Sequence, residues 1–391
     1  SRNMGRDLNF ALGLDGGLSV LVLLRYEVHE NRGGNQMIKK ITCIGGGATG
    51  HYMAALMAMK GYDVTLFDTD AYKDKLDAVV KKGGILLRGA MHALGTPSLV
   101  TMDAAAAIHD AQLICVHVMS DRHEEIARLI APHIQDGQHI LIIPGNLGSF
   151  IFRRVFREMG VSANVIISEK EGNLGPCRLS EPAEVTCGRP FSPTGFLAAL
   201  PAADTPRALE ALPRELKYQA NDNVLIGTMN AGNVIMHICS TILSSTAIDR
   251  QGDDFSLFKW ALTPSTFAVM KQVRDERDRI NQAAGFPIHN DLYTMATKIN
   301  NWKEYPENTI FRKYMDGPNA LDHRYLHEDC GCGAALAVSV ASRLGIPCPL
   351  LSALLTIAGA INGRDYLASG RTLENLGFGP ELSLEEILKC L

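Results

Sequence analysis

The stretch MIKKITCIGGGATGHYMAALMAMKGYDVTLFDTD, beginning at Met37, constrains the fold more than any other part of this 391-residue chain. A β-branched run from Ile38 to Ile44 meets the turn Gly45-Gly46-Gly47-Ala48-Thr49-Gly50, a helical stretch follows to about Lys60, and a second strand runs from Asp63 to Phe67. That is a βαβ unit with its glycines in the positions a dinucleotide needs. Gly45 permits the tight turn, Gly47 lets backbone N–H groups approach a pyrophosphate, and Gly50 lets the helix pack on the strand. Asp68 closes the second strand, where a carboxylate accepts a hydrogen bond from a ribose 2′-hydroxyl and repels a 2′-phosphate. The spacing therefore predicts NAD in preference to NADP, with Lys73 and Lys75 partly offsetting the carboxylate.

The pattern continues with strand-like runs AQLICVHVM from Ala111, HILIIPG from His139 and ANVIISE from Ala163, with the helical text HEEIARLIAPHI between the first two. Alternation of this kind predicts an α/β fold, a Rossmann-type doubly wound parallel sheet, over residues 37–220. In such sheets ligands bind at the carboxyl ends of the strands, which here carry Ser120 to His123 and Pro144 to Ser149. Pro144, Gly145 and Asn146 are accordingly candidate cofactor contacts, and His123 is a candidate substrate contact.

After Asn221 the text turns to long helical periods such as FAVMKQVRDERDRINQAAG, so a mostly α-helical second domain is expected over residues 221–391. It opens with MNAGNVIMHICST, Met229 to Thr241, in which Asn230, Asn233 and His237 fall on one face of an otherwise apolar helix. Buried amides and imidazoles without partners cost a few kcal/mol, so the stripe has either a structural or a chemical purpose. A second polar cluster, DHRYLHEDCGCG, spans Asp322 to Gly333, with a helix expected to start near Gly333. Arg324 in this cluster suits a bidentate grip on a carboxylate, or a surface ion pair with Asp322 or Glu328.

Composition removes several classes of function. A net charge of −4 and the lack of a sustained Lys/Arg run give no surface for nucleic acid. The nine cysteines are odd in number and mostly set in apolar runs, as reduced core thiols are, which points to the cytoplasm. Cys330 and Cys332 lack the spacing of a zinc site, so no metal is expected. No apolar run approaches the twenty residues of a membrane span. Residues 1–36 precede Met37 without a secretory cleavage pattern and read as an extension or an expression-derived leader.

Four segments together give the chain a family resemblance: the opening IGGGATG, Asn233 and His237 four apart on one helix, RYLHEDCGCG, and the ending GRDYLASGRTLENLGF from Gly363. The sequence resembles the octopine/nopaline (opine) dehydrogenase family over essentially Met37 to Leu391. The resemblance implies an NAD(P)-dependent enzyme that joins an amino acid amine to a 2-oxo acid and reduces the imine, or runs the reverse. By the family pattern His237 matches the catalytic histidine, Asn233 its companion and Asp329 the late acidic residue. DCGCGAA stands where relatives often carry a Pro-Tyr-Gly run. The residues are compatible with those roles: histidine both donates and accepts protons near neutral pH, and a carboxylate on its second ring nitrogen fixes the tautomer. Arg324, His123 and Asn230 are then the candidate substrate contacts, the partners are an amino acid and an oxo acid, and a homodimer is the candidate assembly.

Two other readings compete. Ketopantoate reductase and 6-phosphogluconate dehydrogenase pair a similar nucleotide domain with a helical one and usually use a catalytic lysine, for which Lys298 is the candidate. An NAD-sensing protein would bind the cofactor without turnover.

Overall fold

The computed structural model describes residues 38–188, 191, 194–289 and 317–391, so Lys298 and residues 1–36 lie outside the described residues. Met37–Leu391 forms one compact unit.

The strands of the main sheet are β1 (Lys40–Ile44) and β2 (Asp63–Phe67), then, beyond β3 (Ile85–Gly89) and β4 (Ala93–Gly95), β5 (Leu99–Thr101), β6 (Leu113–Val116), β7 (His139–Ile142) and β8 (Ile166–Lys170). After β9 (Cys177–Glu181) and β10 (Glu184–Cys187) it is completed by β11 (Thr194–Ala199) and β12 (Lys217–Ala220). Its order is β12-β11-β8-β7-β6-β1-β2-β5. The six strands from β8 to β5 are parallel, as the alternating text predicts. β1, β6 and β7 are nearly all apolar because both of their faces are covered. Tyr52, Met53 and Met57 of the helix Ala48–Met59 pack on one face, while Ile108, Ile126 and Phe152 cover the other. This is the doubly wound arrangement.

Two features depart from the sequence reading. β11 and β12 run antiparallel to the rest at one edge. A second sheet, β4-β3-β10-β9, packs beside the helix Ala48–Met59 and carries Cys177 toward the strand ends.

Beyond β12 the described chain is helical. The helix Gly232–Leu243 buries Ile235, Ile238, Cys239 and Ile242, spaced three and four apart, against Val273 and Ile280 of the helix Pro264–Ala283 and against Leu336 and Leu354. Its other stripe, Asn233, Met236 and His237, lines a cavity, with Met236 also packing in part on this core. The expected unbroken helix from Met229 is interrupted: Val224–Met229 ends at Asn230, Ala231 is extended, and a new helix begins at Gly232. Asn230 sits at the break: its backbone N–H and its side-chain amide both donate to the carbonyl of Ile226, and the amide also reaches Pro287 O.

The helix expected near Gly333 instead begins at Arg324, and Asp329–Ala334 forms a π-helical turn that continues into Ala335–Leu344. π-turns are uncommon and recur at functional sites. A Cβ on Gly333 would collide with Val234, so this glycine lets the π-turn approach the helix Gly232–Leu243 closely.

Candidate active site

At the carboxyl ends of β1, β6, β7 and β8, facing the helical half, lies a cavity of about 750 Å³. Gly45, Gly47, Ala48 and Thr49 line it, and no atom lies within 4 Å of a Cβ placed on Gly47. The helix Ala48–Met59 has no side-chain cap and no acid in its first turn. Its N–H groups and positive dipole end are thus free for a pyrophosphate, and the residues present fit a dinucleotide. Gly46 and Gly50 shape the turn without lining the cavity. Gly46 donates its N–H to Asp68 Oδ2 at 2.6 Å, and a Cβ on Gly50 would strike the carbonyl of Gly45.

Asp68 closes β2 beside this turn, yet its carboxylate is fully buried. Arg122 donates to it from Nη2 at 2.8 Å and Nη1 at 3.2 Å, and also bonds Glu125. Lys75 and Arg122 both lie over the ring of Tyr72. Lys73 is drawn off to Asp77 at the surface. With Thr69 N donating to Oδ1 at 2.7 Å as well, Asp68 is already served by four N–H donors before any ribose arrives.

On the helical side His237 Nδ1 donates to Asp329 Oδ2 at 2.7 Å. The two residues come from the helix Gly232–Leu243 and the π-turn, brought together by the Gly333 contact. Tyr325 stacks on the imidazole, with ring centroids 3.7 Å apart and planes 13° apart, and Arg178 donates to the Tyr325 hydroxyl at 2.7 Å. Asn233 lies one turn earlier on the cavity side. Arg324 lines the same wall and reaches Glu328 at 3.4 Å. Glu328 in turn accepts from Ser120 N at 2.9 Å and Ser120 Oγ at 2.6 Å, which joins the end of β6 to this helix. His323 stands edge-on to Tyr325, and burial together with the Arg324 charge lowers its pKa to about 4, so it is neutral.

Four expected contacts fall elsewhere. His123 is wholly buried beneath the helix that begins with it. Its Nδ1 accepts from Arg371 at 3.2 Å, and burial with the Arg371 charge holds its pKa well below the ordinary range. Asn230 is buried too: its amide donates to Pro287 O and accepts from His289 N at 2.9 Å, so it ties two segments together. Gly145 and Asn146 lie behind the cavity wall, while Pro144 lines it. Gly145 N donates to Lys170 O, Leu147 N and Ser149 N donate to the Glu169 carboxylate, and Asn146 Nδ2 donates to Ser120 Oγ. That loop is spent on its own hydrogen bonds.

Reasoning from sequence misses Glu171 and His289, which line the cavity and bond to one another at 2.8 Å. The charged run at the end of β8 was a signal available for Glu171 under the strand-end rule, whereas His289 sits in a loop with no pattern around it.

Among known proteins, residues 220–362 match the NAD/NADP octopine/nopaline dehydrogenase alpha-helical domain and residues 41–148 match ketopantoate reductase PanE/ApbA. The opine dehydrogenase of Arthrobacter sp. (strain 1C) is 31% identical over 348 residues, 87% of this chain and 95% of that protein. An octopine dehydrogenase solved with NADH and L-arginine superposes with a TM-score of 0.65 at 17% identity, covering 90% of this chain and 98% of its own. A yersinopine dehydrogenase bound to NADP⁺ gives 0.61 at 13% identity, covering 91% and 99%. Nucleotide turn, helical half and near-complete length agreement thus coincide, and the chain belongs to the octopine/nopaline (opine) dehydrogenase family of NAD(P)-dependent oxidoreductases.

Proposed function

We propose that this protein catalyses the reductive condensation of an amino acid amine with a 2-oxo acid, or the reverse oxidation of the resulting secondary amine. One observation carries the reading: the His237–Asp329 pair and Arg324 face the same cavity as the uncapped glycine-rich helix N-terminus. When bound, the nicotinamide supplies or accepts the hydride. The chain does the rest. Gly47, Ala48 and Thr49 bind the pyrophosphate through backbone N–H groups, and Arg324 holds the oxo acid carboxylate as a fork of donors. His237, with Nδ1–H fixed by Asp329, presents Nε2 to the oxygen or nitrogen of the reacting C=O or C=N bond and delivers its proton there. Asn233 holds the substrate carbonyl or carboxylate beside it. The free, mostly buried thiols support a cytoplasmic setting.

NAD is the proposed cofactor. Arg122 is committed to Asp68 and Glu125, so the three groups together carry a net negative charge, which a dianionic 2′-phosphate meets unfavourably. Asp68→Ala would free Arg122 for that phosphate, so the ratio of NADPH to NADH affinity is expected to rise by about tenfold or more, roughly 1.4 kcal/mol. Fluorescence titration of both cofactors checks it, and an unchanged ratio would remove Asp68 from cofactor selection.

The reaction itself is tested by an NADH and NADPH oxidation screen that crosses pyruvate, 2-oxoglutarate and other oxo acids with the common amino acids. Oxidation that requires both partners supports condensation. Oxidation by an oxo acid alone is the ketopantoate reductase outcome, a reading favoured by the match over residues 41–148. Cofactor binding with no oxidation by any pair would identify a sensor.

A further inference from the structure

The cavity holds a second imidazole built like the first. His289 Nδ1 donates to Glu171 Oε2 at 2.8 Å, as His237 Nδ1 donates to Asp329 at 2.7 Å. Phe196 stacks on the His289 ring with centroids 3.6 Å apart and planes 9° apart, as Tyr325 stacks on His237. Each imidazole is nearly buried, with side-chain exposures of 10% and 8%, and both line the cavity. The groups around His289 favour this setting. Asn221 Nδ2 donates to the same Glu171 oxygen at 3.1 Å, Asn230 Oδ1 accepts the His289 backbone N–H, and Lys170 turns its ammonium to the carbonyls of Glu171 and Asn173. No hydrogen bond to His289 Nε2 occurs among the described residues. The two pairs come from different parts of the chain, one from the end of β8 and the loop before residue 290, the other from two helices.

A ring held by a carboxylate at Nδ1 and clamped by an aromatic face presents Nε2 in one orientation, which is what proton transfer requires. The proposed condensation has two separate proton tasks. An amino acid arrives as an ammonium ion without a lone pair, and the oxo acid oxygen must be protonated on its way to water. Two imidazoles let one be empty for the first task while the other is already loaded for the second.

We infer that His289, oriented by Glu171, is the base that deprotonates the incoming ammonium group, while His237 serves the oxo acid. This rests on the condensation reading above. The ammonium N–H bond breaks and its proton goes to His289 Nε2. The freed lone pair forms the C–N bond at C2 of the oxo acid as the carbonyl oxygen takes the proton of His237. The nitrogen then loses its second proton to His237 Nε2, emptied in the step before, which returns that proton to the hydroxyl, and water leaves a protonated C=N bond for reduction. Glu171 is a positioning residue in this scheme, since it acts through His289.

The test follows kcat/KM for the amino acid from pH 6 to 10 at saturating oxo acid and NADH, in the wild type, His289→Asn and Glu171→Gln. Asparagine keeps a donor for Glu171 and loses the base. The expected result is a loss of about a hundredfold in His289→Asn at pH 7. That deficit should shrink about tenfold per pH unit and close near the pKa of the free amine, because the variant uses only amine already deprotonated in solution. Glu171→Gln is expected to show a smaller deficit of the same shape, and it carries the test if His289→Asn does not fold. Thermal melting and NADH fluorescence titration establish that both variants are folded and bind cofactor. A variant profile parallel to the wild type at every pH, whatever its height, overturns the assignment of His289. A wild type that never couples NAD(P)H oxidation to an amine overturns the condensation reading itself, and the assignment with it.

Discussion

His237 shows how much one side chain depends on its setting. An isolated helical histidine has no special reactivity; this one has its tautomer fixed by Asp329, its ring plane fixed by Tyr325, and one nitrogen left for the cavity. If it is the proton donor to the reacting bond, His237→Asn is expected to keep the fold, since a smaller polar side chain replaces it. NADH affinity should also survive, because the nucleotide binds mainly on the strand ends. Turnover is expected to fall by about a hundredfold or more. Asp329→Asn is expected to fall in the same direction, by leaving the imidazolium without its charge partner. Measuring kcat, NADH affinity and Tm on the same preparations separates this from a structural role, which would lower Tm and yield while the folded fraction turned over normally. A folded His237→Asn enzyme with wild-type kcat would end the mechanism. At this scale the resemblance pointed to His237 and Asp329, and side-chain chemistry alone to Arg324, because each sits in a local motif. Glu171 and His289 lie 118 residues apart with no motif at either end, and only the fold brings them together.

Between elements, the connection to watch is the segment at Arg371. Its backbone N–H donates to Gly331 O in the π-turn at 2.7 Å, while its guanidinium donates to Ser120 O at 2.5 Å, to Asn146 O and to His123. One residue thus ties the turn that carries Asp329 to the carboxyl ends of β6 and β7. Arg371→Met keeps roughly the length of the side chain and removes its guanidinium donors, leaving two carbonyls and an imidazole without this partner, at about 1–3 kcal/mol for each buried group left unsatisfied. A Tm lower by several degrees is expected, together with a kcat/KM lower by tenfold or so, because a positioned proton donor tolerates little displacement. Arg371→Lys is expected to recover only part, since an ammonium cannot span the fork. Melting curves and steady-state kinetics on the two variants check this, and a wild-type kcat/KM in a destabilised Arg371→Met would confine the residue to stability. The element scale also shows where sequence reading stops. The parallel strands were legible because fully buried strands are continuous apolar runs. The break at Asn230, the π-turn and the antiparallel β11–β12 edge were not, because each is set by contacts distant in sequence: Asn230 with Pro287, Gly333 with Val234, and β11 with β8.

Across the whole molecule, the sheet and the helical half enclose several histidines that the fold keeps neutral, and this gives stability a pH dependence of definite sign. Burial lowers the pKa of His117 and of His139 to about 3, and burial with the Arg371 charge holds that of His123 well below its ordinary value. In the unfolded chain each takes up a proton near pH 6.5. A depressed folded pKa means that the unfolded state binds more protons between the two values, so the contribution is present above about pH 6.5 and is lost as pH falls toward 3. Each histidine then costs roughly 1.4 kcal/mol of stability per pH unit in that window. Glu169 works in the opposite sense, since burial raises its pKa against the hydrogen bonds from Ser149 and Leu147, but it is one group against three. Against a marginal total of 5–15 kcal/mol for a typical domain, the prediction is a steep fall in Tm between pH 7 and pH 5 without cofactor. His139→Gln removes one titrating group from the core while leaving an amide to meet Ser168, which His139 Nε2 now contacts at 2.7 Å. Its unfolding free energy is expected to vary less with pH than that of the wild type, by about 1.4 kcal/mol per unit between pH 6 and 5. Urea unfolding at half-unit pH intervals gives both slopes directly, and equal slopes in the two proteins would mean that His139 carries the same charge folded and unfolded.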